Sequence, residues 1–474
     1  MTSAVAAVDL GATSGRVMLG YVGHNELSLR PVARFPNGPV TALDGLHWNI
    51  TGLYRQVIGG LASTLREEPG VLSIGVDSWA VDYALLSGGR MLAEPFHYRD
   101  ERTAAAVASV HGVVSPTELY ARNGLQFLPF NTLYQLTADR LSGRLGDVDE
   151  FLLVPDLLNL WLTGEHRAER SNASTTGLLN LATGDWDDEL VARLGLPRAM
   201  FPALTGAGVT VGGLLPGVAV EIGAGLAVSV TAVGSHDTAS AVVAIPATTD
   251  DFAYISCGTW GLVGVELDEP VLTEESRLAN FTNEGGVDGR MRFLHNVMGL
   301  WLLSESVRAW EREDAPIDLG ALLGAAAAVT STVPLFDAND ERFLAPGDMP
   351  TRIAQWLTER GLPVPQSRAE FVRCILESLA DAFATAVHTA SELSGKRVSV
   401  IHLVGGGSQN ELLCQLTANR SGLVVLAGPV EATAIGNVLV QARAQGAVRG
   451  DLETLRALVA AAFRPVAFTP QPAR

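Results

Sequence analysis

Cysteine is scarce in this sequence. Cys257, Cys374 and Cys414 are its three thiols among 474 residues, and no two are spaced C-x-x-C. That excludes a cysteine zinc site or a dithiol redox motif, and the odd, scattered count fits a reducing compartment. Positive charge is also short. Thirty-three lysines and arginines face 51 acidic residues, a net charge of −18. A nucleic-acid binder needs basic residues for phosphates, and so does a polybasic membrane contact, so neither partner is expected. A local nest of backbone N–H groups still holds a nucleotide on an acidic protein. Long apolar runs are missing as well: the stretches 222–233 and 319–329 fall short of the ~20 residues a spanning helix requires. The opening "MTSAVAAVDLG" has no basic segment and reaches Asp9 too early for a signal peptide. The expectation is a cytoplasmic protein.

Two phosphate-binding signatures are absent. There is no G-x-x-x-x-G-K-[ST], which excludes P-loop chemistry, and the triple glycine reads "GGGSQN" rather than G-x-G-x-x-G, which disfavours a dinucleotide. What the chain has is length for two domains, 47% hydrophobic residues for their cores, and 49 glycines for tight turns.

Strand and helix patterns alternate, predicting an α/β protein. "SAVAAVDLG" and "GRVMLGYVG" form a hairpin around Gly11–Gly15. A similar hairpin recurs at "AYISCGTWGLVGVEL" around Gly258 and Thr259. One hairpin opens each half, which reads as an internal duplication with a boundary near residue 245, giving domains 1–244 and 245–474 with a cleft between them. Helices are expected at Pro116–Asn123, with Ser115 as cap, at Asn131–Arg140, at Asp156–Thr163 and in "DWDDELVARLGL". In the second half they are expected from Asn296 to Trp310 and from Ala369 to Ser394. "VEATAIGNVLVQARAQG" reads as a helix with a small-residue face, suited to close approach of another helix or a ligand.

Several polar groups sit where apolar runs end. Both glycine turns offer backbone N–H groups and small hydroxyls to phosphate oxygens. Asp9, beside the first turn, is either a turn aspartate or a carboxylate that holds Mg²⁺ through water. Trp79, Asp82, Arg99 and Asp100, in "DSWAVDY" and "YRDERT", mix stacking area, acceptors and donors as polyol sites do. Asn296 is a helix cap or a ligand contact. His236, Asp237 and Thr238 follow a buried strand, where Asp237 or Thr238 caps the next helix or Asp237 serves as a catalytic base.

Taken together and in order, these stretches resemble the FGGY family of carbohydrate kinases, within the actin-like ATPase superfamily. The resemblance rests on "AVDLGATSGRVML", "VDSWAVDYALL", "YRDERT", "GLQFLPFNTLYQL", "LLVPDLLNLWLTG", "SHDTASAV", "GTWGLVG", "NEGG", "NVMGLWLL", "VGGGSQN" and "AGPVEATAIGNV", and it spans essentially the whole chain. It implies two actin-like (ribonuclease H-like) domains with a nucleotide and sugar cleft between them, and phosphoryl transfer from ATP to a ketose, with Mg²⁺. It implies that Ala12, Thr13, Ser14, Gly15 and Arg16 line the first phosphate loop, and that Thr259 meets the phosphates from the second. Gly406 would lie against the adenosine, Asp237 would be the proton acceptor, and His236, Thr238 and Asn296 would contact the sugar. Ala80 stands at a substrate position where relatives usually carry glycine, and Ser304 at a nucleotide position where glutamine is common. Cys257 replaces a common serine and is read as a packing residue. The partners implied are a small ketose and ATP, with the enzyme a monomer or small homo-oligomer. The rival is a nucleotide-switch ATPase on the same fold; dependence of ATP turnover on an added ketose separates the two.

Overall fold

The computed structural model describes residues 2–471 apart from 226 and 314. The chain forms two compact units. The first combines Met1–Thr248, Glu266–Phe293 and Ala432–Phe463; the second combines Thr249–Val265, Leu294–Glu431 and Arg464–Arg474.

In the first unit the main sheet holds β1 (Ser3–Leu10), β2 (Ser14–Gly23), β3 (Glu26–Pro36), β4 (Val71–Ser78) and β5 (Ser229–Thr231). Its order is β5-β4-β1-β2-β3, with Thr210–Gly213 at the outer edge. β2 runs antiparallel to β1 and β3, while β4 and β5 run parallel to β1. β1 is buried on both faces, which is why it reads as a near-continuous apolar run. The helix Ile50–Glu67 packs one face, where Gly60 leaves room for Val17. The helix Ala432–Ala444 packs the other, where Gly20 leaves room for Val438. Residues 83–201 add a separate aromatic core in which Phe151, Trp186 and Phe201 meet edge to face at 5.0–5.8 Å.

The second unit repeats the plan. Its seven-stranded sheet holds β6 (Phe252–Cys257), β7 (Trp260–Leu267), β8 (Met291–Met298), β9 (Val400–Val404) and β10 (Val424–Ala427), in the order β8-β7-β6-β9-β10, with Thr282–Gly285 beside β8 and Val466–Phe468 beside β10 at the edges. β7 is antiparallel to β6, and β9 and β10 follow parallel. Numbered within each unit, both sheets run third, second, first, fourth, fifth. The duplication expected from two glycine-turn hairpins is therefore present in topology.

Local expectations mostly hold. Pro116–Asn123 is a helix whose Ser115 accepts from Glu118 N–H, with proline in its first turn. Thr132–Leu141, Val154–Thr163 and Arg368–Ser394 are helices. One expectation fails: Asn296 does not begin a helix. It lies inside β8, and the helix starts at Trp301. "MRFLHNVM" forms an eight-residue strand, so of the two roles open to Asn296 the helix cap fails.

Candidate active site

The centre of the first unit is a row of carboxylates on neighbouring parallel strands. Asp9 is the penultimate residue of β1, and Asp77 sits directly opposite it on β4. The next backbone pairing, Ser78 to His236, brings in the segment that carries Asp237. Ser78 N–H donates to Ser235 O at 2.9 Å, and Trp79 N–H to Leu10 O at 3.1 Å, so the three strand ends are laced together.

Each carboxylate has its own environment. Asp9 is buried, and its Oδ2 takes both Arg16 Nε at 2.8 Å and Nη2 at 2.6 Å, across the β1–β2 hairpin. Asp77 is wholly buried, and its Oδ2 accepts from Asn437 Nδ2 at 2.6 Å. Burial pushes its pKa well above the usual carboxylate value. The charges of Asp9 and Asp237 push the same way, against Asn437 and Arg16. Asp237 is the open member, with 30% of its side chain exposed. Its Oδ1 receives Thr238 Oγ1 at 3.1 Å and faces His236 Nε2 at 3.5 Å. No described residue donates to Oδ2.

The capping alternative is excluded by this geometry. His236 is the N-cap of the helix Asp237–Val243, it makes no side-chain cap bond, and Asp237 is already the first helical residue. The segment is fixed instead from behind. Buried Glu169 accepts from Ser235 N–H and Oγ, both at 3.0 Å, and from Ser171 N–H and hydroxyl. From above, the helix Ala432–Ala444 comes so close that a Cβ on Gly436 would lie 1.8 Å from Ser240 O. The small-residue face of that helix meets a neighbouring helix at Gly436.

The first glycine turn is held by Gly11 N–H to Ser14 O at 2.9 Å, and by Asn37, which donates its side chain to Gly11 O at 2.8 Å and its N–H to Thr13 O at 3.1 Å. Thr13 and Ser14 are exposed and Ala12 is half-buried, free to meet a ligand. Gly15 is glycine because the Phe35 ring fills its Cβ position.

Two residues read as sugar contacts belong to the interior. Asp82 is corrected: its Oδ2 takes Trp48 Nε1 at 2.6 Å, Trp79 Nε1 at 3.0 Å and Tyr98 N–H at 3.2 Å, and its Oδ1 takes Gln135 Nε2 at 2.9 Å. Four protein donors leave no room for a sugar hydroxyl, so Asp82 is the hub that holds these aromatic residues. Arg99 is also buried, with its guanidinium 5.2 Å from the centre of the Tyr98 ring. Ala80 is half-buried at a tight turn closed by Asp82 N–H to Ala80 O at 2.9 Å. The turn puts Val81 at φ 68°, a strained value for a β-branched residue. Thr132 Oγ1 clamps it by donating to Val81 O at 2.7 Å.

Asp82 also gives a pH prediction. Burial pushes its pKa from 3.8 up to about 6, against the four hydrogen bonds. A folded-state pKa above the unfolded one favours the fold below about 4 and loses that contribution as pH rises through about 6. At 1.36 kcal/mol per unit, the loss amounts to up to about 3 kcal/mol. Urea unfolding from pH 4 to 7 should show wild type losing this much stability relative to Asp82→Asn. A stability difference independent of pH would refute it.

In the second unit the β6–β7 turn carries Gly258 and Thr259. Gly258 O accepts from Leu300 N–H at 3.0 Å, and Thr259 O from Gly299 and Trp301 N–H, both at 3.2 Å. Thr259 is thereby tied to the start of the helix Trp301–Glu313, which carries half-buried Ser304 on its first turn. The triple glycine packs on the same turn. Cβ atoms on Gly405 and Gly407 would lie 2.9 Å from Cys257 O and 2.3 Å from its Sγ, whereas Gly406 faces open space. Burial, with Cys414 nearby, raises the Cys257 thiol pKa, which suits a packing role. Thr259, Ser304 and Gly406 thus gather around one turn, and half-buried Asn296 stands on β8.

Sequence reasoning missed Asn37, Glu169 and Arg292, held Glu284 and Asn437 only inside the quoted motifs "NEGG" and "AGPVEATAIGNV", and placed Asp77 only in a general polar cluster. Their signal is spatial: Asn437 meets Asp77 from 360 positions away.

Comparison with known proteins agrees with this architecture. The N-terminal domain model of the FGGY family of carbohydrate kinases matches residues 5–244, and the C-terminal domain model matches residues 253–445. The rhamnulokinase of Pectobacterium carotovorum subsp. carotovorum is 43% identical over 474 residues, spanning 98% of this chain and 93% of its own. That of Bacteroides thetaiotaomicron is 40% identical over 468 residues, spanning 98% and 95%. Among solved structures, the gluconate kinase of Lactobacillus acidophilus superposes with a TM-score of 0.81 at 17% identity, covering 100% of this chain and 94% of that one. The xylulose kinase of the same organism gives 0.80 at 16%, covering 99% and 94%. The fold is that of paired actin-like, ribonuclease H-like domains, and the chain belongs to the FGGY family of carbohydrate kinases.

Proposed function

We propose that this enzyme transfers the γ-phosphoryl group of ATP to the 1-hydroxyl of L-rhamnulose, yielding L-rhamnulose 1-phosphate and ADP. The observation that carries the chemistry is Asp237, the open member of the carboxylate row, with Oδ1 engaged and Oδ2 unengaged. The choice of sugar rests on full-length relatives named rhamnulokinase at 40–43% identity. "FLPFNTLYQL" and "SHDTASAV" also favour that member of the family over xylulose, glycerol or gluconate kinases.

Asp237 Oδ2 holds the sugar hydroxyl and takes its proton as the new O–P bond forms. The bond from phosphorus to the ADP oxygen breaks, and its electron pair leaves with ADP. Such transfer passes through a loose transition state, so positioning and charge neutralisation dominate. The N–H groups and hydroxyls of Ala12–Arg16 and of Thr259 supply donors to phosphate oxygens, and Gly406 leaves space for adenosine. His236, Thr238, Asn296 and Ala80 border the sugar.

Mg²⁺ fits this donor set. Among the described residues no group of three or more His, Cys, Asp or Glu is arranged to hold a metal ion. Mg²⁺ is commonly held by one or two carboxylates with substrate phosphates and waters, not by an all-protein cage. Asp9 would hold it through water, since its Oδ2 already carries Arg16. The ion would neutralise phosphate charge. No helix among the described residues is long and apolar enough to cross a membrane, in keeping with small, water-borne substrates.

A coupled ADP-release assay over L-rhamnulose, L-fuculose, L-xylulose, D-xylulose and glycerol tests the reading. Highest kcat/KM is expected on L-rhamnulose. Highest kcat/KM on another of these substrates would overturn the sugar, and ATP hydrolysis indifferent to any of them would overturn the kinase.

A further inference from the structure

Behind His236 lies a buried ion pair that the reaction does not touch. Arg292 is fully buried, with Nε donating to Gly285 O at 3.0 Å. Its Nη2 is 3.1 Å from Glu284 Oε2, and Glu284 is itself buried. A buried guanidinium requires such a counter-charge, because burying it unpaired costs several kcal/mol. Arg292 Nη2 also lies 3.1 Å from His236 Nδ1. Glu284 Oε2 lies 3.2 Å from the same nitrogen.

Arginine has five N–H donors and no acceptor. A hydrogen bond from Arg292 to Nδ1 therefore requires a bare lone pair on Nδ1, and the ring proton then sits on Nε2. Nε2 is the nitrogen that faces Asp237 Oδ1, at 3.5 Å. Catalytic contacts of this length commonly tighten once substrate is bound. With Thr238 Oγ1 already on Oδ1, a second donor there leaves Oδ2 as the oxygen open to a substrate proton.

We propose that Arg292, held in place by Glu284, is a positioning residue that fixes His236 as the Nε2–H tautomer aimed at Asp237 Oδ1, so that Oδ2 is the atom acting as base. This rests on the reading of Asp237 as the base. It assigns to the "NEGG" and "MRF" segments a part in the reaction that they exert through His236 rather than on the substrate.

The direct test is heteronuclear NMR of the full-length enzyme carrying isotope-labelled histidine. It reads the tautomer of each of the nine histidines, and His236→Gln identifies the signal by its loss. A protonated Nε2 and a bare Nδ1 are expected at neutral pH; a protonated Nδ1 would overturn the proposal. Kinetics supply the second arm. Arg292→Lys should lower kcat on the ketose by about 10- to 100-fold, the scale of a misplaced catalytic group, and leave the KM for ATP within about twofold. Glutamine at 236 has one amide donor and no tautomer to set. In the His236→Gln background, Arg292→Lys should therefore change kcat by less than about threefold. Equal losses in both backgrounds would make Arg292 an ordinary core residue. Asp237→Asn separates the two readings: normal turnover in that variant defeats the base assignment itself, whereas an inactive variant beside a protonated Nδ1 defeats only the tautomer.

Discussion

Asp237→Asn should lose about 10²- to 10⁴-fold in kcat, the range expected for one general base, with KM for ATP and ketose changed by no more than a few-fold. The substitution keeps the shape of the side chain, and Thr238 still donates to one of its atoms. With the Nε2–H proposed for His236 facing the Oδ1 position beside Thr238 Oγ1, the amide oxygen takes that position and the –NH₂ takes the place of Oδ2. A donor then points at the substrate hydroxyl where an acceptor is needed. Binding survives, because the loop is held by Glu169 and by backbone pairing to β4, neither of which involves the Asp237 side chain. Steady-state kinetics with ATP and L-rhamnulose measure this, and near-normal kcat would remove Asp237 as the base.

Gly436→Ala should lower both stability and kcat. In an exposed helix interior this change gains about 1 kcal/mol. Here the new Cβ would sit 1.8 Å from Ser240 O and 2.6 Å from its carbonyl carbon. Those are backbone atoms of another helix and cannot rotate aside, so the two helices must separate. Overpacking of this kind costs about 1–3 kcal/mol, occasionally more, which exceeds the helix-propensity gain. The damage reaches the chemistry because Ser240 is three residues beyond Asp237 on the same short helix. Thermal unfolding and kcat measured on one preparation test the claim. An unchanged or raised Tm would show that the helices have room to part without cost.

The carboxylate row shows what a sequence carries and what it hides. The two hairpins were legible because each is an apolar run, a glycine turn and a second apolar run, a pattern set by neighbours along the chain. Asp237 was legible as a polar residue following a buried strand. Its competing role as a cap was decided only by the backbone, which gives the cap position to His236. Asp82 misled for a physical reason: a carboxylate among tryptophans fits a sugar site, and it fits equally well an internal acceptor for indole N–H groups. Asn296 misled because one polar residue ahead of an apolar run resembles a helix start, while the strand extends through it. Arg292 carried no signal, and Glu284 was legible only as part of "NEGG". They matter only through His236, 56 and 48 positions earlier, and no spacing rule reaches that far.

The first unit is not finished until the chain nearly is. One face of its main sheet is covered by the helix Ala432–Ala444, which also supplies Asn437 to Asp77 and Gln441 to Ala6 O. During synthesis, β1 to β5 leave the ribosome about two hundred residues before that helix does. At roughly 5–20 residues per second, they wait some ten to forty seconds with an apolar face bare. A chain cut short after residue 248 would keep the proposed base and the first glycine turn, yet lack the helix that Gly436 fits against Ser240. The order of translation thus leaves this enzyme's first-made unit open until residue 463, near the end of the chain.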